Sequence, residues 1–223
     1  AVVDGFELGA VALHATGKRR LLGSSMYTVS TDNVTLITAP TSEPVDVHEA
    51  KDHLRVDISD DDNLIKGLIQ AAREFCEVYT GRSFAERTYR ADLAGFVDNI
   101  WLPYAPIVSI TSVKYYNTDS PSTLATWDSA NYQLWNDRLI RADGASFPSV
   151  GANRPDAVQV TYAAGWLDES SPRADATPQA VKQAILMMVG DMYENREEQV
   201  LYPGMLLQNP VVMRLLHGYR LYR

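Results

Sequence analysis

"SDDDNLIKGLIQAAREFCEVYTGR", residues 59–82, carries the most regular helical pattern in the chain. Acidic residues precede its apolar positions, where they complement the positive end of a helix dipole, and Gly81 stands where a left-handed C-terminal cap belongs. The pattern predicts a helix over residues 61–80. Its apolar side chains recur three and four positions apart, as on one helical face: Leu64, Ile65, Leu68, Ile69, Ala72, Phe75, Cys76 and Tyr79.

Capping signals predict a short helix before this segment and a long helix near the C-terminus. Asp46 is followed three residues later by Glu49, which is the capping-box spacing and predicts a helix from Val47 to Leu54. Thr177 as N-cap with Pro178 behind it predicts a helix over residues 178–195. We expect the two long helices to pack through Leu64, Leu68, Ile69, Ala72, Phe75 and Cys76 on one, and Val181, Ile185, Met188 and Met192 on the other.

Residues 83–166 replace the helical period with short β-rich runs that turn residues separate. Asn136-Asp137 is typical of a hairpin turn between "YQLW" and "RLIR". We therefore predict an α+β fold in which long, antiparallel-packed helices carry an inserted antiparallel β-rich subdomain. Its parts are an extended N-terminal arm (1–42), a helical region (43–82), the β-rich insertion (83–166), a helical region that completes the core (167–200) and a C-terminal helical tail (201–223).

The N-terminal arm offers little core of its own, because glycines interrupt its apolar runs. Only "NVTLITAP" (33–40) alternates enough to predict one short strand. Such an arm is held in place by neighbouring chains, or else it wraps around its own domain. The sequence leaves both alternatives open.

Composition and charge restrict the class of protein. The 223 residues are 46% hydrophobic, which is enough to bury a core. A net charge of −8 argues against a protein that holds nucleic acid by neutralising phosphates. The single cysteine excludes an internal disulfide, and neither a signal peptide nor an apolar run of the roughly 20 residues that span a bilayer is recognisable. These features predict a soluble intracellular protein without a membrane partner.

The candidates for chemistry between residues 48 and 62 fail on spacing. His48 and His53 are five positions apart, about 140° around a helix, whereas a shared metal ion needs histidines four apart. The aspartates at 57 and 60–62 lack the alternation and the glycine of a calcium loop. Cys76 lies on an apolar helix face and is predicted to be a core residue. We therefore predict no catalytic residue, metal or cofactor, and interpret the acidic stretch as a helix start.

The C-terminal tail is basic, unlike the rest of the chain. Residues 209–223 contain three arginines and no acidic residue, so they carry +3 while the remainder carries −11. Val212, Leu215, Leu216 and Tyr219 repeat at helical spacing, and Tyr222 continues the stripe. A basic amphipathic end of this kind lies on its own acidic body, on a membrane or in a partner's groove, and three arginines with a glycine are weak for membrane binding.

The order of the segments resembles one known family. "EAKDHLRVD", "AAREF", "YTGR", "LPYAPIVSITSVKYY", "VQVTYAAGW" and "VKQAILMMVGDMYENRE", spread over roughly residues 34–197, are similar to head–tail connector proteins, also called adaptors, of long-tailed bacteriophages and gene transfer agents. The resemblance implies a structural virion neck protein, made in the host cytoplasm, that forms a ring of twelve copies beneath the portal. It implies that the ring extends the DNA channel without sequence-specific DNA binding and offers a docking surface to the stopper or the tail.

The resemblance also implies a role for the tail, because a C-terminal segment of several relatives engages the portal's outer rim. Stopper or tail-completion proteins of the neck are the nearest alternative. A metal-dependent hydrolase using His48, Glu49 and Asp52, and a monomeric module that binds a peptide or sugar through the β-rich part, are alternatives of other classes. The implied portal-docking residues are Val212, Arg214, Leu215, Leu216, Tyr219, Arg220, Tyr222 and Arg223.

Overall fold

The computed structural model describes residues 26–151, 153–168, 174–195 and 210–222, and within them the chain forms two short and two long α-helices. These are α1 (Val47–Leu54), α2 (Asp62–Thr80), α3 (Gln179–Glu194) and α4 (Pro210–His217). The bounds of α1, α2 and α3 agree with the predicted helices to within one residue at each end. No helix in these ranges is long and apolar enough to cross a membrane.

The helix ends confirm two of the predicted caps and correct a third. The Asp46 carboxylate accepts a hydrogen bond from the Glu49 backbone N–H at 2.7 Å, which starts α1 as predicted. Gly81 ends α2 in the left-handed region with φ 71°, a conformation that favours glycine. The predicted cap at Thr177 is wrong, because its hydroxyl donates to the Asp175 carboxylate instead.

Nine strands of the described residues form two sheets. They are β1 (Met26–Thr28), β2 (Val34–Thr38), β3 (Arg87–Leu93), β4 (Asn99–Trp101), β5 (Ile107–Tyr116), β6 (Leu124–Trp127), β7 (Tyr132–Trp135), β8 (Arg138–Arg141) and β9 (Val158–Ala164). The five-stranded sheet has the order β2-β3-β9-β5-β6 and is antiparallel throughout. The four-stranded sheet has the order β1-β4-β8-β7. The β7–β8 hairpin turns at Asn136 and Asp137, both at positive φ, as predicted.

The described part of the N-terminal segment belongs to these sheets. β2 pairs with β3, and β1 pairs with β4 in the one parallel pairing between the named strands. Val29, which follows β1, is 3% exposed and packs in the core that both sheets share. Residues 26–38 therefore wrap around their own domain, which is one of the two alternatives that the sequence left open. Within residues 83–166 the named strands pair antiparallel, as predicted, and the parallel β1–β4 pair involves residues 26–28 of the N-terminal arm.

A second core lies between the helices. It joins α2 to α3 as predicted, through Ile69, Ala72 and Cys76 on α2 and Val181 and Ile185 on α3. Leu68, Met188 and Met192 pack against it while only partly buried.

The predicted contacts of Leu64 and Phe75 are wrong. The two side chains are 40% and 37% exposed, because the buried face of α2 is rotated toward Ile65 and Arg73. The apolar positions of α2 cover more of the helix circumference than one neighbouring helix can bury.

Candidate assembly surfaces

The two histidines of the acidic stretch have different surroundings. The His48 side chain is 87% exposed, with Nδ1 3.2 Å from Oδ2 of Asp52. His53 instead lies close to Gly190 on α3. In the described ranges, no three His, Cys, Asp or Glu side chains are placed to hold a metal ion together. The hydrolase alternative therefore has no centre in this part of the chain.

Aspartates at the start of α2 tie that helix to its neighbours. Lys51 on α1 donates to Asp62 Oδ1 at 2.8 Å, and the Tyr193 hydroxyl on α3 donates to Asp61 Oδ2. Asp61 makes no side-chain hydrogen bond to the first N–H groups of α2. These carboxylates hold three helices together, in addition to standing at the positive end of the helix dipole.

The C-terminal helix α4 packs on the chain's own helical core. Val212 and Leu216 are 2% and 0% exposed there, and Leu215 and Tyr219 are partly buried beside them. This corrects the implication that a portal covers the apolar stripe, because α2 and α3 already bury its central positions. The segment after α4 is also anchored, since the Leu221 N–H donates to the Thr80 carbonyl at 2.8 Å.

The basic side of the tail stays exposed. Arg214 lies on the exposed side of α4, and Tyr222 is 69% exposed. Arg220 lies 5.3 Å from the ring centres of both Tyr79 and Tyr222, within cation–π distance. Arg223 lies outside the described residues. The tail therefore presents Arg214, Arg220 and Tyr222 outward, while Val212 and Leu216 face inward.

A buried ion-pair network joins α2 to the β-rich part. Glu77 Oε2 accepts hydrogen bonds from Arg73 Nη1 at 2.7 Å and from Arg87 Nη2 at 2.6 Å. Glu77 Oε1 accepts from the Phe84 backbone N–H at 2.8 Å. Burial raises the pKa of Glu77 to about 7, and the Phe84 N–H and the Arg73 charge limit the rise. Because two guanidinium groups contact one carboxylate, the ionised form is held by direct hydrogen bonds.

Sequence reasoning missed this network. Arg73 and Glu77 stand four positions apart, a spacing that is also typical of a solvent-exposed pair on a helix. Yet Arg73 is 1% exposed, and its Nε donates to Glu43 at 2.6 Å. The sequence did contain one indication that the pair is buried: Arg73 and Glu77 directly follow the core residues Ala72 and Cys76.

Cys76 is expected to resist alkylation in the folded protein. The residue is fully buried, its Sγ lies 3.8 Å from Met188 Sδ, and burial raises the pKa of the thiol to about 12. Thiolate is the reactive form, so iodoacetamide at pH 8 should modify Cys76 only after unfolding in urea. Mass spectrometry before and after denaturation measures this. Rapid labelling of the native protein would contradict the buried position.

Comparison with known proteins gives a family match. Residues 44–129, which extend from before α1 to just beyond β6, match the family described as phage gp6-like head-tail connector protein. This match confirms the resemblance predicted from the sequence. None of the curated proteins compared with the chain matches it.

Solved structures share the fold over nearly the whole chain. A chain in the neck of an empty gene transfer agent particle, computed with C6 symmetry, has a TM-score of 0.64 at 24% identity, covering 85% of this chain and 96% of that chain. A chain in the virion of the native gene transfer agent particle has a TM-score of 0.65 at 24% identity with the same coverage. In the neck of the native particle, computed with C12 symmetry, a chain has a TM-score of 0.63 at 25% identity, again over 85% and 96%.

Proposed function

From the head–tail connector domain in residues 44–129, we infer that this chain is a structural neck protein of a phage or phage-like particle and not an enzyme. The observation that carries this conclusion is the agreement between the family match and the fold, since 96% of a neck chain is covered by the similarity. The chain acts in the virion neck as one copy of a homo-oligomeric ring, consistent with the symmetry of the similar necks.

We further propose that twelve copies form a ring beneath the portal. This ring extends the DNA channel and receives the stopper or the tail. The net charge of −8 supports a channel role, because an acidic wall does not attract a polyanion that must slide past it. The C12 symmetry of one similar neck supports the copy number.

Loss of the chain tests this function directly. Deleting its gene from a particle-producing host should leave DNA-filled heads without tails, and a tagged copy should restore tails. In electron micrographs of restored particles, the tag should form a ring at the neck. Tailed particles assembled without the chain, or a tag that lies elsewhere in the particle, would contradict the proposal.

The exposed basic side of the tail is the proposed portal-docking surface, and Arg214→Glu tests it. One exposed ion pair contributes only about 0–1 kcal/mol to docking. Charge reversal adds repulsion to this loss, and many copies in one ring make the combined effect on binding larger. We expect roughly tenfold or more loss of the chain from DNA-filled heads, with unchanged thermal unfolding.

Lys114→Glu makes the same change of charge at an exposed position on β5 and serves as the matched control. It should incorporate like the parent protein. If Arg214→Glu co-purifies with portal-bearing heads at the parental ratio, the exposed side of α4 is not the docking surface, while the neck assignment stands.

A further inference from the structure

Helix α2 carries a second apolar stripe that faces away from the helical core. Leu64, Gly67, Ala71, Phe75 and Val78 follow one another at intervals of three and four residues, so they lie within an arc of about 80° along about 21 Å of helix. Val78 is 85% exposed, and Leu64 and Phe75 are 40% and 37% exposed. We call these five residues the α2 stripe.

The surface shape of the α2 stripe suits packing against another helix. Gly67 and Ala71, both exposed, form a low centre between Leu64 at one end and Phe75 and Val78 at the other. A Cβ added at Gly67 would meet no atom within 4 Å. Small residues between large ones form a groove that another element can approach closely.

The charge around the α2 stripe favours an identical chain over a basic or acidic partner. Between residues 63 and 78 the exposed charged side chains are Lys66 and Glu74, which have opposite signs. Copies with a net charge of −8 repel one another, so they come together most readily through faces without net charge. By contrast, the exposed side of the tail is basic and suits an acidic surface.

We propose that the α2 stripe is the surface through which each copy of this chain contacts the next copy in the ring. The proposal rests on the ring function inferred above. A closed ring of many copies uses a heterologous contact, so the stripe meets a different surface of its neighbour. Contact with the next copy also removes from water an apolar stripe that would promote aggregation in an isolated chain.

Photo-crosslinking in assembled particles identifies what covers the stripe. With p-benzoylphenylalanine in place of Val78, irradiation should give a product of twice the chain's mass, in which residue 78 is joined to a segment outside α2 of another copy. A product with a different neck protein, a link between two α2 helices, or no product from copies present in the neck would overturn the proposal. Absence of the parent chain from the neck would instead refute the proposed function.

Val78→Asp measures the energetic importance of the stripe. Because Val78 is 85% exposed, the variant should unfold at the parental temperature. Burying a charge in the contact should reduce incorporation into particles by roughly tenfold or more. Asn63→Asp adds the same charge at an exposed position of α2 outside the stripe and should incorporate normally. Parental incorporation of Val78→Asp would overturn the proposal.

Discussion

Replacing Glu77 by glutamine is expected to lower the free energy of unfolding by about 3–5 kcal/mol, the usual effect of removing one partner of a buried ion pair. The side chains of Arg73 and Arg87 are 2% and 14% exposed, and both donate to Glu77 Oε2. Glutamine preserves the shape but leaves two guanidinium charges without that carboxylate in a poorly solvated site. Urea unfolding at pH 8.5, above the raised pKa of Glu77, measures the change for the ionised carboxylate.

Glu74→Gln is the matched control for this prediction. It makes the same substitution one turn earlier on α2, where the side chain is 54% exposed and lies 3.5 Å from Arg73 Nη2. An exposed pair of this kind contributes about 0–1 kcal/mol. If both variants lost the same free energy of unfolding, the buried ion pairs of Glu77 would be no stronger than the exposed pair of Glu74.

If the α2 stripe is the ring contact proposed above, the Glu77 network also fixes its orientation, because α2 serves several surfaces at once. One side of the helix forms the core with α3, Glu77 joins it to β3, and the α2 stripe faces outward. A ring closes only if each copy holds its contact surfaces at a fixed angle. A helix that is tied to both the helical core and the β-rich part meets this requirement.

The sequence correctly predicted two caps and one turn that depend only on residues close together in the chain. The Asp46 cap, the Gly81 end of α2 and the Asn136-Asp137 turn each depend on residues a few positions apart. β1 and β6 were not predicted. β1 has only three residues and pairs with the distant strand β4, and the four residues of β6 pair with the neighbouring strand β5. Arg73 and Arg87 likewise meet Glu77 only in the folded chain.

The tail shows what periodicity cannot determine. The pattern of Val212 and Leu216 indicated burial correctly, but a stripe does not identify the surface that covers it. The family resemblance implied a partner, whereas the apolar groups fit the groove beside α2 and α3 in the same chain. The docking function, which stays a prediction, is therefore restricted to the outward residues such as Arg214 and Tyr222.

Leu216→Asp is expected to destabilise the folded chain by about 4 kcal/mol or more, because it places a charge at a fully buried position among α2, α3 and α4. Val211→Asp adds the same charge on the same helix, where the side chain is 44% exposed, and should cost about 1 kcal/mol or less. Thermal and urea unfolding of both variants separate the two positions. If α4 were a free docking segment, the two variants would unfold like the parent protein and both would fail to join heads. If α4 completes the core, truncation before residue 210 would unfold the protein, so only substitutions on its exposed side can test docking.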